Sequence, residues 1–341
     1  MYKIDQIKQL HLELSSNCNA RCPKCPRNFY GYPRNFGYEV TNLSLDTVVN
    51  KIDKFFIQQL DSIFINGNFG DFTANPESLS IIKYFIDTNP NISIAVSTNA
   101  SARNKSFWEE LGKLNISIEF CIDGLEDTHH LYRKDTVWQK IIDNAKTYIS
   151  AGGTKAVWKM IKFKHNLHQI VDCEALSKSL GFSKFRLVDE GRNSGVVFDR
   201  QGNLDYTIGD PDPYQLENPT AEMLYNKIST ATEQDVYRRN PKKEFIDCKV
   251  AKLKKLYISA DAKVYPCCWL GFSPESYFDA NIIGYSNQQI KKILKNNSLH
   301  THSLKECLEW FDAVVDSWAK KTYEEGHLLM CNSICGTCKT S

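Results

Sequence analysis

The chain has 341 residues, of which 42% are hydrophobic, and its 42 Lys and Arg nearly balance its 40 Asp and Glu to give a formal net charge of +2. This balance argues against nucleic acid or an anionic membrane as the partner. The sequence shows neither a signal peptide nor an apolar run of the roughly 20 residues that cross a bilayer, so we expect a cytoplasmic protein. For its 12 cysteines, metal ligation in a reducing compartment is favoured over disulfides.

Three of these cysteines lie together, directly after a short apolar alternation at residues 11–14. Three residues separate Cys18 from Cys22, and two separate Cys22 from Cys25. Such a loop can hold a cubane iron–sulfur cluster through three of its irons. The remaining iron is then open to a small molecule, so the site can carry out chemistry. A zinc knuckle, or reduced thiols without a metal, are the alternative interpretations.

The loop resembles the cluster loop of the radical S-adenosylmethionine (SAM) enzymes. In that family the open iron binds SAM and passes it an electron, which releases a 5′-deoxyadenosyl radical that abstracts a hydrogen atom from the substrate. The resemblance implies a SAM-binding [4Fe–4S] cluster at Cys18, Cys22 and Cys25. It also implies SAM itself and an external electron donor similar to flavodoxin or ferredoxin. One departure is Lys24, which stands where the family usually has an aromatic residue.

Helical and strand patterns alternate over the first two hundred residues. A helix is predicted from Leu45 to Phe56, after a cap at residues 41–44. Five further apolar strands follow the first one, at residues 62–66, 92–97, 116–121, 156–161 and 184–188. Such alternation implies parallel pairing, and six units are too few for a closed eight-stranded barrel. The resemblance implies an α/β fold, a partial (β/α)6 barrel that is open on one side.

Polar residues follow the second and third strands, where parallel α/β folds place their chemistry. Glycines there let a ligand approach the backbone closely. By resemblance to the family segment that holds the methionyl amino group of SAM, Gly67, Asn68 and Asp71 are predicted to bind this cofactor. Ser97 and Asn99 resemble a second family segment near SAM. A simple turn and a helix cap are the alternatives.

The run from Asp123 to Arg133 resembles the "Ser-Ile-Asp-Gly … Tyr-Arg" run of the SPASM/twitch branch of these enzymes. By resemblance, Asp123 lies in the floor of the active site and Arg133 binds the SAM carboxylate, for which a guanidinium offers a planar fork of donors. A surface salt bridge is the alternative for Arg133. Asn166, after the fifth strand, contacts SAM or caps the next helix. His129 and His130 are predicted to be surface or packing residues.

Ionisable residues end the sixth strand, namely Arg186, Asp189 and Arg192. Groups converging on the mouth of an open barrel could bind a polar substrate or accept a proton from it. A solvated strand end is the alternative. Above the site, the irregular segment from Asn28 to Val40 is predicted to be a loop, and its candidate lid residues are Phe29, Tyr30, Phe36 and Tyr38.

A stretch rich in Gly, Asp and Pro at residues 195–219 marks the predicted end of the barrel. We predict a barrel domain over residues 1–200, a linker with a bridging helix over 201–245, and a second domain over 246–341. The helix is predicted from Ala221 to Arg239, and a β-hairpin over residues 256–265.

The second domain carries the other cysteine set. It resembles the twitch domain, a shortened SPASM domain of α+β structure that holds one auxiliary [4Fe–4S] cluster. The resemblance selects as ligands Cys248, Cys267, Cys335 and Cys338, with Cys331 in reserve. A zinc site with four cysteines is the alternative.

The resemblance implies a radical SAM enzyme that modifies its substrate, and two kinds of substrate remain open. In the first, the auxiliary cluster assists the net oxidation of a small polar molecule such as an aminosugar. In the second, the protein is a maturase of a precursor peptide. A non-enzymatic zinc or iron–sulfur interaction module is a third prediction, which implies no SAM cleavage.

Overall fold

The protein is described here from a computed structural model that covers residues 1–33, 39–190, 195–208, 218–272 and 282–337. Within these ranges no helix has the length and apolar character needed to cross a membrane. The centre of the molecule is an eight-stranded sheet in the order β11-β10-β1-β2-β3-β4-β5-β6, and four short strands form two separate ribbons. The strands are β1 Gln9–Leu12, β2 Ser62–Ile65, β3 Ser93–Thr98, β4 Ser117–Cys121, β5 Ala156–Lys162, β6 Lys184–Asp189, β7 Val196–Phe198, β8 Leu204–Thr207, β9 Phe245–Ile246, β10 Lys255–Ile258, β11 Val264–Tyr265 and β12 Gly336–Thr337.

Helices connect the parallel strands and cover the outer face of the sheet. The α-helices are α1 Leu45–Lys51, α2 Lys54–Gln59, α3 Ser78–Thr88, α4 Lys105–Lys113, α5 Glu126–Tyr132, α6 Trp138–Ser150, α7 Ile170–Ser179, α8 Ala221–Ser229, α9 Glu233–Arg239, α10 Lys249–Leu253, α11 Ile282–Ile293, α12 Phe311–Trp318 and α13 Leu329–Cys335. Short 3-10 turns lie at Ile4–Gln6, Phe72–Ala74, Leu167–Gln169 and Glu306–Leu308.

Strand alternation decides which side chains face the helices and which face the concave side of the sheet. Phe120 of β4 packs between Trp108 of α4 and Tyr148 of α6, with ring centroids 5.7 and 5.8 Å away. Successive residues of a strand point to opposite faces, so Glu119 and Cys121 point to the concave side. This apolar layer between sheet and helices is the core of the molecule, and the concave side is left for polar groups.

The predicted α/β fold class is confirmed, because β1 to β6 pair in parallel and alternate with helices to form an open partial barrel. The predicted C-terminal hairpin is present as β10 and β11. Its first strand pairs in parallel with β1, in the register Gln9↔Lys255 to Leu12↔Ile258. The C-terminal segment therefore extends the barrel sheet on the side of β1.

Two predicted helices are interrupted by capping residues. The helix expected from Leu45 to Phe56 is two helices, because Ile52 is extended and the Asp53 carboxylate accepts the Phe55 N–H to begin α2. In the same way Thr232 caps α9 and separates it from α8. The ribbon of β7 and β8 spans the predicted domain boundary at residue 200, with β7 before it and β8 in the predicted linker.

Candidate active site at the carboxyl ends of the strands

The three-cysteine loop follows β1 and is held by its own backbone and by two arginines. The N–H of Cys25 donates to the carbonyl of Cys22 at 2.9 Å, which makes a turn between these two ligands. The guanidinium of Arg27 donates to the carbonyl of Cys18 at 2.9 Å. Arg21 is buried and donates to the carboxylate of Asp135 at 3.0 Å. These contacts fix the path of the loop between the cysteines.

All three cysteines border one cavity of about 480 Å³ at the carboxyl ends of the strands. The side chains and backbone around it come from the cluster loop and from the ends of β2 to β6, together with one residue of the C-terminal segment. The other predicted site residues that line it are Gly67, Asn68, Asp71, Ser97, Asn99, Arg133 and Asp189. The topology thus brings together predicted site residues that lie up to 171 positions apart in the chain, from Cys18 to Asp189.

The thiols fit a cubane cluster in their surroundings as well as in their spacing. The amide of Asn99 donates to Cys18 Sγ at 3.3 Å, and a guanidinium nitrogen of Arg133 lies 3.9 Å from Cys22 Sγ. Donors aimed at ligand sulfur tune iron–sulfur clusters. Burial raises the pKa of Cys18 and raises that of Cys22 to about 11, so these sulfurs need a bound metal to become thiolates. In the described ranges no three His, Cys, Asp or Glu side chains are grouped closely enough to hold a single metal ion, whereas a cubane binds each cysteine through a different iron.

Asp71 joins the glycine-rich loop to the end of β3. Its carboxylate accepts hydrogen bonds from the Thr73 N–H at 3.0 Å, from the Thr98 hydroxyl at 2.9 Å and from the Asn99 N–H at 2.8 Å. Asp71 is buried and its carboxylate is occupied by these hydrogen bonds, so it positions Asn99 at the cavity. Asn68 is also held by a hydrogen bond, since its side-chain amide donates to the backbone carbonyl of Cys268 at 2.7 Å.

Glu13 is a site residue that the sequence analysis missed. It is buried, and its carboxylate accepts the N–H groups of Phe69 at 2.8 Å and Gly70 at 3.1 Å. A Cβ on Gly70 would lie 1.9 Å from the carbonyl oxygen of Ser15, so only glycine fits there. Glu13 therefore holds the loop of residues 67–71 against the base of the cluster loop. The sequence feature that could have indicated this role is the position of Glu13 as a charged residue between Leu12 and Leu14 at the end of β1.

The raised pKa of Glu13 predicts a pH-dependent stability. Burial raises its pKa from 4.5 to about 7, so between these values the folded chain keeps a proton that the unfolded chain releases. Stability from this group therefore falls as pH rises through that window, by about 3 kcal/mol in total. Urea unfolding at pH 5 and pH 7.5 should show this loss of stability at the higher pH in the wild type, and Glu13→Gln should lack it.

The difference between these two proteins is the readout, because buried His11 works in the opposite direction. Burial lowers the pKa of His11 to about 4, so its contribution to stability rises as pH increases toward 6.5. This contribution is common to both proteins and cancels. Equal pH dependence in the wild type and Glu13→Gln would contradict the assignment.

Arg133 is held in place by a buried ion pair. Its Nε donates to Asp123 Oδ2 at 2.6 Å, and the Asp123 side chain is completely buried. The other carboxylate oxygen of Asp123 accepts the N–H of Ile161 at 2.7 Å. Neither Asp123 nor Asn166 is among the residues that line the cavity. Asn166 donates to the carbonyls of Asp123 and Ile161, at 3.1 and 2.9 Å, and so supports the same strand ends.

His129 completes the support of this ion pair. It is buried, and its Nδ1 accepts the N–H of Asp123 at 3.1 Å, while its Nε2 lies 3.1 Å from the hydroxyl of Thr136. Burial lowers the pKa of His129 to about 3, so the ring is neutral at physiological pH and can accept that hydrogen bond. Of the two roles predicted for it, surface or packing, the structure shows packing.

The predicted substrate residues after β6 are only partly at the cavity. Asp189 lines it and pairs with Lys162 at 2.5 Å. Arg186 is not among the lining residues and pairs with Glu119 of β4 at 2.6 Å. Arg192 lies outside the described residues, as do the lid candidates Phe36 and Tyr38.

The ribbon of β7 and β8 covers the cluster loop, in the segment predicted to mark the end of the barrel. Val197 of this ribbon packs in an apolar cluster with Ala20 and Cys22. Phe198 donates its N–H to the carbonyl of Tyr30 at 2.8 Å. Phe29, predicted to be a lid residue, is buried in a neighbouring apolar cluster with Phe198. The Lys24 ammonium lies 4.4 Å from the centre of the Tyr30 ring.

Four cysteines meet at a second, smaller cavity of about 40 Å³. They are Cys248, Cys267, Cys331 and Cys335. A hydrogen bond between Cys335 and Cys248 lowers the pKa of Cys248 to about 6, and the pKa of Cys335 rises in return. The predicted reserve, Cys331, is thus in the group, and Cys338 lies outside the described residues. Cys268 does not line this cavity and lies toward Asn68.

Trp269 lines both cavities. It follows Cys267 and Cys268 in a turn closed by the N–H of Gly271, which donates to the carbonyls of both cysteines at 3.1 and 3.2 Å. Its ring contacts Phe272, at 5.7 Å between centroids. The two cysteine groups are therefore connected through one aromatic side chain. Sequence alone could not indicate this, because it depends on the pairing of β10 with β1.

The fold and this arrangement agree with the family comparison. Residues 12–172, a little under half of the chain, match the model of the Radical SAM superfamily. Radical SAM domains use a [4Fe–4S] cluster and SAM, so the predicted primary cofactors are confirmed at the level of the family.

One known protein has a similar sequence over part of the chain, and two solved structures have a similar fold over nearly all of it. A segment of 127 residues is 31% identical to an uncharacterized protein of Methanocaldococcus jannaschii, and it covers 36% of this chain and 41% of that protein. Less than half of that relative is therefore matched. SuiB of Streptococcus suis superposes on 95% of this chain and 72% of its own, with a TM-score of 0.54 and 14% identity. The structure of anSMEcpe with bound AdoMet covers 98% of this chain and 88% of its own, with a TM-score of 0.56 and 14% identity.

Proposed function

We propose that the protein is a radical SAM enzyme that reductively cleaves SAM and takes a hydrogen atom from a small polar substrate such as an aminosugar. The observation that carries the proposal is the shared cavity: Cys18, Cys22 and Cys25 border it together with the glycine-rich loop and Arg133. When bound, the cluster would supply the electron that splits the sulfonium of SAM. The electron itself would come from an external donor of the flavodoxin or ferredoxin type in a reducing cytoplasm.

The residues around the cavity have separable parts in this proposal. Arg133 uses its Nε for Asp123, which leaves its other guanidinium donors directed toward Cys22 and the cavity, where they can bind the carboxylate of SAM. The backbone of residues 67–70 is kept in place by Glu13 and can receive the amino group of SAM. Asn99 is held by Asp71 and lies against Cys18.

We further propose a twitch-type auxiliary [4Fe–4S] cluster at Cys248, Cys267 and Cys335, with a fourth cysteine. The sequence resemblance selects Cys338 as the fourth ligand, and the second cavity favours Cys331, which borders it with the other three. Trp269 lines both this cavity and the first one. This proximity supports a role for the auxiliary cluster as acceptor of the electron left on the substrate radical.

The choice between the two cysteines makes a specific prediction. Cys331→Ala should lower the iron content of the anaerobically reconstituted protein by about four atoms per chain, because a [4Fe–4S] cluster is lost. Cys338→Ala should keep the full content of about eight atoms expected for two such clusters. Iron and sulfide analysis checks both variants. The reverse pattern would make Cys338 the ligand, and zinc in place of iron would remove the auxiliary cluster from the account.

A precursor peptide is the second candidate substrate. It is favoured by two proteins of the same fold, SuiB bound to the precursor peptide SuiA and anSMEcpe bound to the Cp18Cys peptide. At 13 and 14% identity these structures share the fold with this chain, and their peptides belong to those proteins. Peptide libraries and sugar panels carrying deuterium separate the two candidates, since the hydrogen donor transfers its label into 5′-deoxyadenosine.

The activity itself is tested by anaerobic incubation of the reconstituted protein with SAM and dithionite. The proposal expects 5′-deoxyadenosine and methionine to form in equal amounts. Absence of 5′-deoxyadenosine from protein with a full iron content would overturn it in favour of an interaction module. Omitting dithionite is the control, because cleavage requires the added electron.

A further inference from the structure

A group of three charged side chains lies on the concave face of the barrel, deeper than the predicted substrate residue Asp189. Lys159 of β5 is in register with Cys121 of β4 and with Arg186 of β6. Both Lys159 and Cys121 line the cavity. Asp189 lies three residues further along β6 than Arg186, which places the group about 10 Å deeper than that strand end.

One carboxylate is shared between two cations in this group. Glu119 accepts from Arg186 at 2.6 Å with one oxygen, and its other oxygen is 3.4 Å from the ammonium of Lys159. The side chains of Glu119 and Lys159 are 13% and 21% exposed, so solvent screens them only in part. A single carboxylate between two cations leaves one positive charge in excess, and the weaker contact is the one to Lys159.

Donors also exceed acceptors in this group. The ammonium of Lys159 has three N–H donors. One of them donates to Glu119, at a distance near the limit for a hydrogen bond. The Nε of Arg186 is buried and has no hydrogen-bond partner among the described residues. Both observations point to a missing acceptor with negative charge. Asp189 at the rim does not supply it, since this side chain is already paired with Lys162.

We propose that Lys159, which shares the Glu119 carboxylate with Arg186, binds an acidic group of the substrate, a carboxylate or a phosphate. The inference rests on the proposed function, because it takes this cavity to be the substrate site. It assigns the substrate to the class of small acids or acid-bearing molecules. Arg133 is engaged with Asp123 and Cys22, whereas Lys159 is engaged with Glu119, so the two cations have different partners.

The test measures binding of two probe acids, succinate and inorganic phosphate, to the reconstituted protein saturated with SAM. Saturation with SAM occupies the cluster side, so calorimetry under anaerobic conditions reports the remaining site. We expect one of the acids to bind, and which of them binds identifies the carboxylate or the phosphate as the ligand. Lys159→Met should weaken that binding roughly ten- to a hundredfold, the loss expected for a hydrogen bond between charged groups.

Three further variants make the result specific. Lys159→Arg should restore binding, because it keeps the charge. Glu119→Gln should tighten binding, because it removes the carboxylate that competes for Lys159. Lys184→Met is the matched control, an exposed lysine at the opposite end of β6, and should bind as the wild type does.

Binding of neither acid, or equal binding by the wild type and Lys159→Met, would overturn the inference. The opposite signs expected for Lys159→Met and Glu119→Gln cannot arise from misfolding alone. Formation of 5′-deoxyadenosine is measured on the same preparations. Cleavage of SAM without acid binding refutes only this inference, whereas acid binding without cleavage refutes the proposed function and leaves the acid site in place.

Discussion

A Cys22→Ala variant is expected to lose 5′-deoxyadenosine formation completely and to lose about four iron atoms per chain. Cys22 is buried at the centre of the cluster loop, and its sulfur faces Arg133 at 3.9 Å. With two thiols instead of three, the loop no longer completes the ligand set of the SAM-binding cluster. Anaerobic reconstitution, iron analysis and chromatography of the nucleoside product measure both effects.

Cys173→Ala is the matched control for this prediction. Cys173 is also buried and also a free thiol, but it lies in α7 within the apolar core. It should keep its iron and its rate of SAM cleavage. Loss of iron in Cys173→Ala to the same extent as in Cys22→Ala would show that any buried thiol matters, and would contradict the assignment of the loop.

The second large effect is expected at the ion pair of Asp123 and Arg133. Asp123→Asn keeps the shape of the side chain but leaves the Arg133 guanidinium without its counter-charge in a buried site. Removing one partner of a buried pair typically destabilises a protein by about 3–5 kcal/mol. Urea unfolding measures this loss. The rate of SAM cleavage should also fall, because Arg133 loses the contact that orients it toward the cavity.

Glu110→Gln provides the comparison for that measurement. Glu110 pairs with Lys83 at 2.7 Å, but both side chains are about half exposed. Such a pair is screened by solvent, so its loss should change stability far less than Asp123→Asn. Equal destabilisation by the two variants would contradict the view that the buried pair organises the site.

Local patterns in the sequence were sufficient for the parts of the site that depend on short-range chemistry. The spacing of Cys18, Cys22 and Cys25 defines a ligand loop wherever it folds. Strand periodicity located the strand ends that carry Gly67 and Asn99, and the resemblance of the run from Asp123 selected Arg133. All three residues line the cavity. The assignment of these residues to SAM remains a prediction, which the variants above test.

Other features depend on contacts between distant segments, which no local pattern contains. Glu13 touches Phe69 across 56 residues, and Trp269 reaches the first cavity only because β10 pairs with β1. Lys159 was placed on a strand but could not be connected to Glu119 without the register of β4 and β5. The break between α1 and α2 was missed because apolar periodicity continues across Asp53, whose side chain nevertheless caps a new helix.

The most direct test of the account is the electron paramagnetic resonance spectrum of the dithionite-reduced protein, recorded with and without SAM. To isolate the first cluster, the spectrum is taken on the variant in which Cys248, Cys267 and Cys331 are all alanine. The account predicts a [4Fe–4S] signal that shifts when SAM is added, because SAM binds at the iron that no cysteine holds. A signal that SAM leaves unchanged, or a protein that contains zinc at this loop, would contradict it.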